Sequence, residues 1–446
     1  MRRQVSTIAE VLKAGLRATS VDRNAYLAEL LNQRQDLGSD TATWLQEIRE
    51  YAASLVQQQT LPTTSDEEWR FTDLSSLYQV SFQTAEEKLE LAEADIASLT
   101  LAEASLRLVF VNGLYAPCLS SVANLPAGLS VSHLADISEH SRSYLGQQQG
   151  ATEVFTALNT ASFTDAAVVR LSSNQAVETP IHVLFISVPS AAPAIAQPRC
   201  LVVAAAGSAL TLIEEYVAMG EGTYFTNAVT EIWVEENAQV NHSRIQREGS
   251  TAFHVGKTAI SQARDSRYTC NAINLGAKLS RHNLQVFLTG EQTETTLNGL
   301  TLAADEQLSD THSAIAFTQP YGTSRQLHKC IVDDRARAVF NGKVFVPKAA
   351  QLTNAGQLNR NLLLSAKARV DTKPQLEIVA DNVKCSHGAT VSQLDEEEVF
   401  YLQSRGLDRK SACDLLVEAF AIEMVEQLPL PSLRSKLSQL ILAQVR

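Results

Sequence analysis

The chain is poor in the residues that announce simple solutions. Only 6% of its 446 residues are aromatic, with three tryptophans and three methionines, a composition that suits stacked short strands better than a few large aromatic clusters. Its six cysteines, 118, 200, 270, 330, 385 and 413, are spread thinly with no C-x-x-C. That spacing gives neither a disulfide framework nor a closed zinc site, and a reducing compartment such as the cytoplasm is expected. Long apolar runs are missing too: Cys200 to Ala206 is among the longest, far short of the roughly 20 residues a spanning helix needs. Arg2 and Arg3 are followed by Gln4, Ser6, Thr7 and Glu10 rather than an apolar stretch, so no secretory leader is expected. Basic residues are in deficit, 37 against 49 acidic ones, for a net charge of −12. Arg244, Arg247, Lys257 and Arg264 form no stripe. A surface of this sign repels phosphate backbones, which argues against nucleic acid as a partner.

What is present is abundant Ala, Leu, Val, Ser and Thr in short alternating runs. The first 60 or so residues read as helix. Ser39 and Asp40 can cap it, and Trp44, Ile48, Tyr51 and Leu55 make one apolar stripe. Glu68-Trp69-Arg70-Phe71-Thr72-Asp73 reads as a loop anchored on the core by its Trp and Phe. Leu106–Val111 ends in Asn112-Gly113, a hairpin signal. Residues 153–164 read as helix.

Strand-like segments then follow one another, among them 238–245, 268–275, 279–288, 296–302, 339–346 and 375–379, with Gly, Asn and Asp at the breaks. Asn298-Gly299 and Asn341-Gly342 sit in similar frames, which suggests a solenoid of roughly 20 residues per coil. The expected architecture is mainly β: a parallel β-helix over 166–391, a helical or mixed region at 1–165 and a helical domain at 392–446. A β-sandwich is the runner-up, but the run of strands is long for one. In the last region Asp395 and Asp408 are N-caps, with Glu398 at N3 of the first helix and Gly406 at its C′ position. Leu415, Ala419 and Ile422 stripe one helix. Pro429 and Pro431 break it, and Leu433, Leu437, Leu440 and Ile441 stripe the next. Those stripes need something to pack against.

Few motifs carry chemistry. Gly256-Lys257-Thr258 invites a phosphate-loop reading, but the required upstream glycine is Thr251, and Gly249 lies two residues too early. G-x-S-x-G, H-E-x-x-H and G-x-G-x-x-G are missing. Asp305, Glu306, Asp310, Asp333 and Asp334 could mimic a polysaccharide-cleaving β-helix, although surface acids are the default. Cys385-Ser386-His387 is sharper. In a strand, residues i and i+2 share a face, so thiol and imidazole converge, and both suit iron or zinc. Chance gives roughly a quarter of such a pair in this composition, and His328 with Cys330 is a second. On spacing alone, a buried cysteine beside a hydrogen-bonded histidine is the better reading.

The segment from Val379 through Lys384-Cys-Ser-His-Gly388 and Asp395-Glu-Glu-Glu-Val-Phe-Tyr-Leu to Gly406 closely resembles the signature of the SufB/SufD family. Its Cys-Ser-His-Gly core is similar to the SufD branch. Glu68–Thr72, Leu108–Gly113 and Phe155–Asn159 match as well, while Ser392 stands where the family usually has Gly. The resemblance implies a right-handed parallel β-helix between helical ends, and a non-catalytic scaffold subunit of the iron–sulfur cluster assembly machinery. It implies pairing with SufB through the β-helix, and C-terminal helices (Leu415, Ala419, Ile422, Leu433, Leu437) that hold the ATPase SufC. Cys385 and His387 would be a partial site for transient iron or a nascent cluster at the SufB interface, with no tightly bound cofactor. A homodimer is a further expectation for the isolated chain. The competing class is an adaptor for SufB and SufC with no metal role.

Overall fold

Alternating small, β-branched and polar residues favour strands, and strands whose two faces are both apolar or hydrogen-bonded favour parallel pairing under cover. The computed structural model describes residues 22–35, 42–85 and 91–445. It is a two-sheet parallel β-solenoid flanked by helices. One sheet has the central order Leu129–His133, Ala167–Leu171, Arg199–Ala204, Tyr224–Val234, Phe253–Gln262, Leu279–Leu288, Leu308–Phe317, Arg337–Val346, Arg369–Ile378. The other runs from the hairpin Leu106–Val111/Leu114–Tyr115 through Ile181–Ser187, Ala209–Ala218, Gln239–Glu248, Arg267–Gly276, Glu294–Ala303, Thr323–Val332 and Asn354–Leu363 to Lys384–Ser392. From Arg199–Ala204 onward successive strands of the chain alternate between the sheets, so each coil contributes one strand to each.

The second sheet reaches back to Leu106–Val111, which pairs parallel with Ile181–Ser187. Asn112 and Gly113 turn that strand, both with positive φ, into the short antiparallel Leu114–Tyr115. Leu129–His133 pairs antiparallel with Ala167–Leu171 and closes the corresponding end of the first sheet.

The coil is longer than the Asn-Gly spacing suggests. Stacked residues are 27 apart at Asn271/Asn298, 29 at Ser280/Ser309 and 31 at Gln351/Asn382. The two Asn-Gly pairs lie on different sheets, in mid-strand, and are not equivalent positions. Their glycines instead make room inside the solenoid. A Cβ on Gly299 would stand 2.0 Å from His328 Nδ1, and one on Gly342 would stand 2.0 Å from Gln357 Nε2. The repeated turns use positive φ at Gly207, Asn237, Asp265, Gln292, Tyr321 and Leu352, and each of these residues donates its N–H to a carbonyl of the following turn.

Helices cover the outer faces. α1 (Arg23–Asn32), α2 (Thr43–Gln57) and α3 (Val154–Ser162) pack on Phe225, Phe253 and Leu279 of the first sheet. Ser39 and Asp40 lie outside the described residues, and Ala42 occupies the N-cap position of α2. The buried side of α2 is Leu45, Arg49, Ala52, Ala53 and Val56, one position round from the expected stripe, and Tyr51 is 64% exposed. Arg49 is admitted because its guanidinium donates to the Ala161 and Gln35 carbonyls.

α4 (Glu396–Ser404), α5 (Arg409–Val425) and α6 (Pro431–Val445) end the chain, with Asp395 and Asp408 as side-chain caps and Gly406 at φ +97°. Ser392 does not sit in a left-handed turn. It ends its strand and its hydroxyl reaches the Asn361 carbonyl. α5 and α6 lie on Ile213, Ile245, Ile273 and Leu300, the outward residues of the second sheet. The stripe of α6 therefore has its partner within the chain: Leu433 and Leu437 are each 1% exposed, so neither can face another protein. Among the described residues no helix is long and apolar enough to cross a membrane. Truncating a leucine in such a contact costs about 2–5 kcal/mol. Leu437→Ala should lower the urea midpoint accordingly, whereas Ala419→Ser on the exposed side of α5 should leave it within error.

Candidate functional site

In each strand of the second sheet, alternate residues point into the bore. The row containing Leu210 and Val240 continues through Tyr268, Thr295, Ser324 and Ala355 to Cys385. The row containing Leu212 and His242 continues through Cys270, Leu297, Gln326 and Gln357 to His387. Cys385 and His387 thus share the bore-facing side of the last strand, as the i, i+2 spacing predicts. Cys385 is half-buried against the main apolar core, and His387 is exposed. Burial raises the Cys385 thiol above its ordinary range, opposed by a backbone hydrogen bond from Ala355. A thiolate there needs a cation or a metal to form it.

The pair sits at an unfinished end. The strands Arg369–Ile378 and Lys384–Ser392 are the last of their sheets, and among the described residues neither has a further neighbour on its outer edge. Large apolar side chains surround this mouth in the open: Ile378, Val379 at 63%, and Val391. Such edges are a template for pairing with another chain. A second apolar surface lies on α4 and the start of α5, where Phe400 at 72%, Tyr401, Leu407 and Leu415 at 45% are exposed. Ala419 is exposed beside them, while Ile422 is half-buried against the core beneath. Among the described residues no group of three or more His, Cys, Asp or Glu forms a metal cage.

His328 and Cys330, the other spaced pair, are buried in mid-solenoid. His328 stacks on Phe340 at 5.0 Å between centroids and pairs with the Thr301 hydroxyl. Lys257 lies in an extended strand, so no phosphate loop exists around it.

Sequence reasoning missed the polar bore. Glu214 accepts from His242 Nε2 at 2.8 Å and from the Tyr216 and Thr230 hydroxyls, and His242 Nδ1 meets the Tyr268 hydroxyl at 3.0 Å. Next to them Arg244 donates to Asn274 and to His254 Nε2, and His254 Nδ1 stands 2.7 Å from Glu248. The signal in the sequence was His242-Ser243-Arg244, which places two polar side chains on bore-facing positions next to the apolar Val240. Burial raises Glu214 and opposes charge on His242. Contacts among His242, Arg244 and Thr230 nonetheless bring Glu214 down to about 2, and Cys270 and Glu214 hold His242 up at about 9. Burial pulls His328 down to about 4.

Residues 186–420 match the SufBD core domain of the SUF system for FeS cluster assembly, and residues 21–183 match the N-terminal region of SufBD proteins. The chain is 46% identical to an iron–sulfur cluster assembly SufBD family protein of Synechocystis sp., over 97% of this chain and 98% of that one. It is 35% identical to the iron–sulfur cluster assembly protein SufD of Escherichia coli, over 82% of this chain and 85% of that one. A chloroplastic protein of Arabidopsis thaliana is 33% identical, over 92% and 88%.

The buried histidines set a pH dependence between pH 5 and 8. His328, depressed in the fold from 6.5 to about 4, contributes stability that is lost as pH falls below about 6.5. His242, raised from 6.5 to about 9, contributes stability that is lost as pH rises above about 6.5. Urea unfolding at pH 5, 6.5 and 8 should give a maximum near the middle value. A steady rise across the range would contradict the ionised His242.

Proposed function

The chain belongs to the SufBD family of iron–sulfur cluster assembly proteins, and we propose that it is the non-catalytic scaffold subunit that completes a cluster-assembly site together with a SufB partner. The observation that carries this reading is the open terminal coil with Cys385 and His387 at its mouth. Two ligands fall short of the four a cluster iron takes. The edges beside them lack the neighbouring strands that would satisfy them. A second solenoid meeting this end would pair the edges, cover Val379 and Val391, and bring the remaining ligands. Transient iron or the nascent cluster is then cargo shared across the interface. In isolation a second copy of the chain would use the same edges. The reducing cytoplasm fits a free thiol at such a site.

The ATPase SufC is assigned to α4 and α5. Phe400, Tyr401, Leu407 and Leu415, with Ala419 beside them, are the large apolar groups that the C-terminal helices leave uncovered. Leu433 and Leu437 are buried beneath this surface, and Ile422 contributes only its half-exposed side. Removing the helices altogether would strip Ile213, Ile245, Ile273 and Leu300, so point substitutions are the better probe. Leu415→Asp should reduce SufC copurification at least tenfold while thermal unfolding stays near that of the unaltered chain.

His387→Ala tests the assembly role. His387 is solvent-exposed, so its removal should cost less than about 1 kcal/mol. The variant should copurify with SufB and SufC yet fail to build clusters, read by iron and sulfide content and visible absorbance. His328→Ala should do the reverse, losing at least about 2 kcal/mol of stability because it empties a stacked, buried site. Full cluster formation by the His387→Ala complex would favour the adaptor without a metal role.

A further inference from the structure

The outer face of the first sheet carries a cleft of about 680 Å³, roofed by the loop of Trp69 and by the start of α3. Its floor is a row of directly paired residues on four successive strands: Lys257, Asn283, His312 and Asn341. Adjacent strands are about 4.8 Å apart, so Lys257 and His312 stand roughly 10 Å apart with an amide between them. Two further cations flank the row. Arg281 is already neutralised by the buried Asp310 at 2.6 Å and lies under Trp69, its guanidinium 3.9 Å from the ring. Lys343 pairs with Glu377 at 2.6 Å.

Lys257 and His312 differ from Arg281 in what meets them. The Lys257 side chain is 4% exposed, and its carboxylate partner at 2.7 Å, Glu153, is 43% exposed. His312 is 10% exposed. It shares the buried Asp310 and is met on its other ring nitrogen by Glu68, which is 64% exposed. Burial draws the Lys257 ammonium below its ordinary range, which marks a cation under-compensated by its surroundings. Burial opposes charge on His312 too, but Asp310 and Glu68 hold it above its usual value. Lys257 is thus buried in the floor with a solvated roof carboxylate as counter-ion, and His312 has one in addition to the buried Asp310. A solvated carboxylate on a rotatable stem is exchangeable for another oxyanion at little cost in desolvation.

We propose that this cleft binds a small multivalent oxyanion, one anionic group displacing Glu153 from Lys257 and a second displacing Glu68 from His312. Asn283, Gln285 and Asn341 supply neutral hydrogen bonds to the span between. The volume is within the range of about 300–1,000 Å³ typical of small-molecule sites and exceeds what one phosphate needs. Polycarboxylates and pyrophosphate share this chemistry. The inference does not depend on the cluster-assembly reading, because the cleft lies on the outside of the other sheet from Cys385 and His387.

Calorimetric titration of the full chain tests it, with citrate, pyrophosphate, orthophosphate and sucrose as probes, and Trp69 emission as a second readout. At least one of citrate and pyrophosphate should bind about tenfold more tightly than orthophosphate, and which of the two binds identifies the source; sucrose should not bind. Lys257→Gln should weaken that binding at least tenfold. Glu153→Gln removes the competing counter-ion and should tighten it several-fold, an effect no general loosening of the fold would give. Absence of binding by citrate and pyrophosphate at about 10 mM, or unchanged affinity in Lys257→Gln, would overturn the proposal. If Lys257→Gln fails to fold, weaker or unchanged binding in Glu153→Gln overturns it alone.

Discussion

Each coil of the solenoid satisfies its strand N–H and C=O groups on the coil before it and the coil after it, so a parallel stack cannot finish itself from within. The chain solves this at its N-terminal end. Leu129–His133 reverses direction against Ala167–Leu171, and Leu114–Tyr115 folds back on Leu106–Val111. At the other end it does not. Among the described residues, Arg369–Ile378 and Lys384–Ser392 stop with one side of each ladder unpaired. The same constraint governs the faces. Parallel strands demand cover on both sides, which places α1–α3 over one sheet, α5 and α6 over the other, and side chains in the bore. The terminal helices are consumed in this way, so α4 and the outer side of α5 remain as the apolar surface on that flank.

The strands were legible because period two is written directly into the sequence, and the helix ends because their caps are. Asp395, Gly406 and Asp408 act as their residue types suggest. Coil length was not legible. Each coil holds two strands with the same grammar, so a repeat of strand and turn passes for a repeat of coils. Asn-Gly misled for a related reason. At 112–113 it turns the chain, whereas at 298–299 the glycine yields space to His328 of the neighbouring strand, and at 341–342 to Gln357 of the facing sheet. Periodicity also locates an apolar face without saying what it meets. Leu433 and Leu437 meet the chain's own sheet, and on α2 the sheet side is Leu45 and Val56 rather than Tyr51. For Cys385 and His387, the shared face follows from spacing. Their place at an open mouth follows only from being on the last strand, which is a property of the whole stack.

Strands of similar grammar raise a problem of register that apolar packing cannot solve. Sliding one strand by two residues keeps small and apolar groups facing the bore, so burial alone discriminates weakly. The charged groups in the central coils discriminate strongly. A two-residue slip of Gln239–Glu248 would remove His242 from Glu214 and Tyr268, and take Arg244 from His254. It would leave buried charges without partners, at a cost of several kcal/mol. A buried ion pair of this kind contributes little net stability over a well-packed apolar pair, yet it penalises every wrong stacking. The fixed register then runs outward through Gln326 and Gln357, whose side chains are hydrogen-bonded in the bore at 2.9 Å, to the position that His387 occupies on the final strand. The mouth therefore has a defined geometry before any partner arrives, as a site divided between two chains requires, because neither half can correct a misplaced ligand in the other.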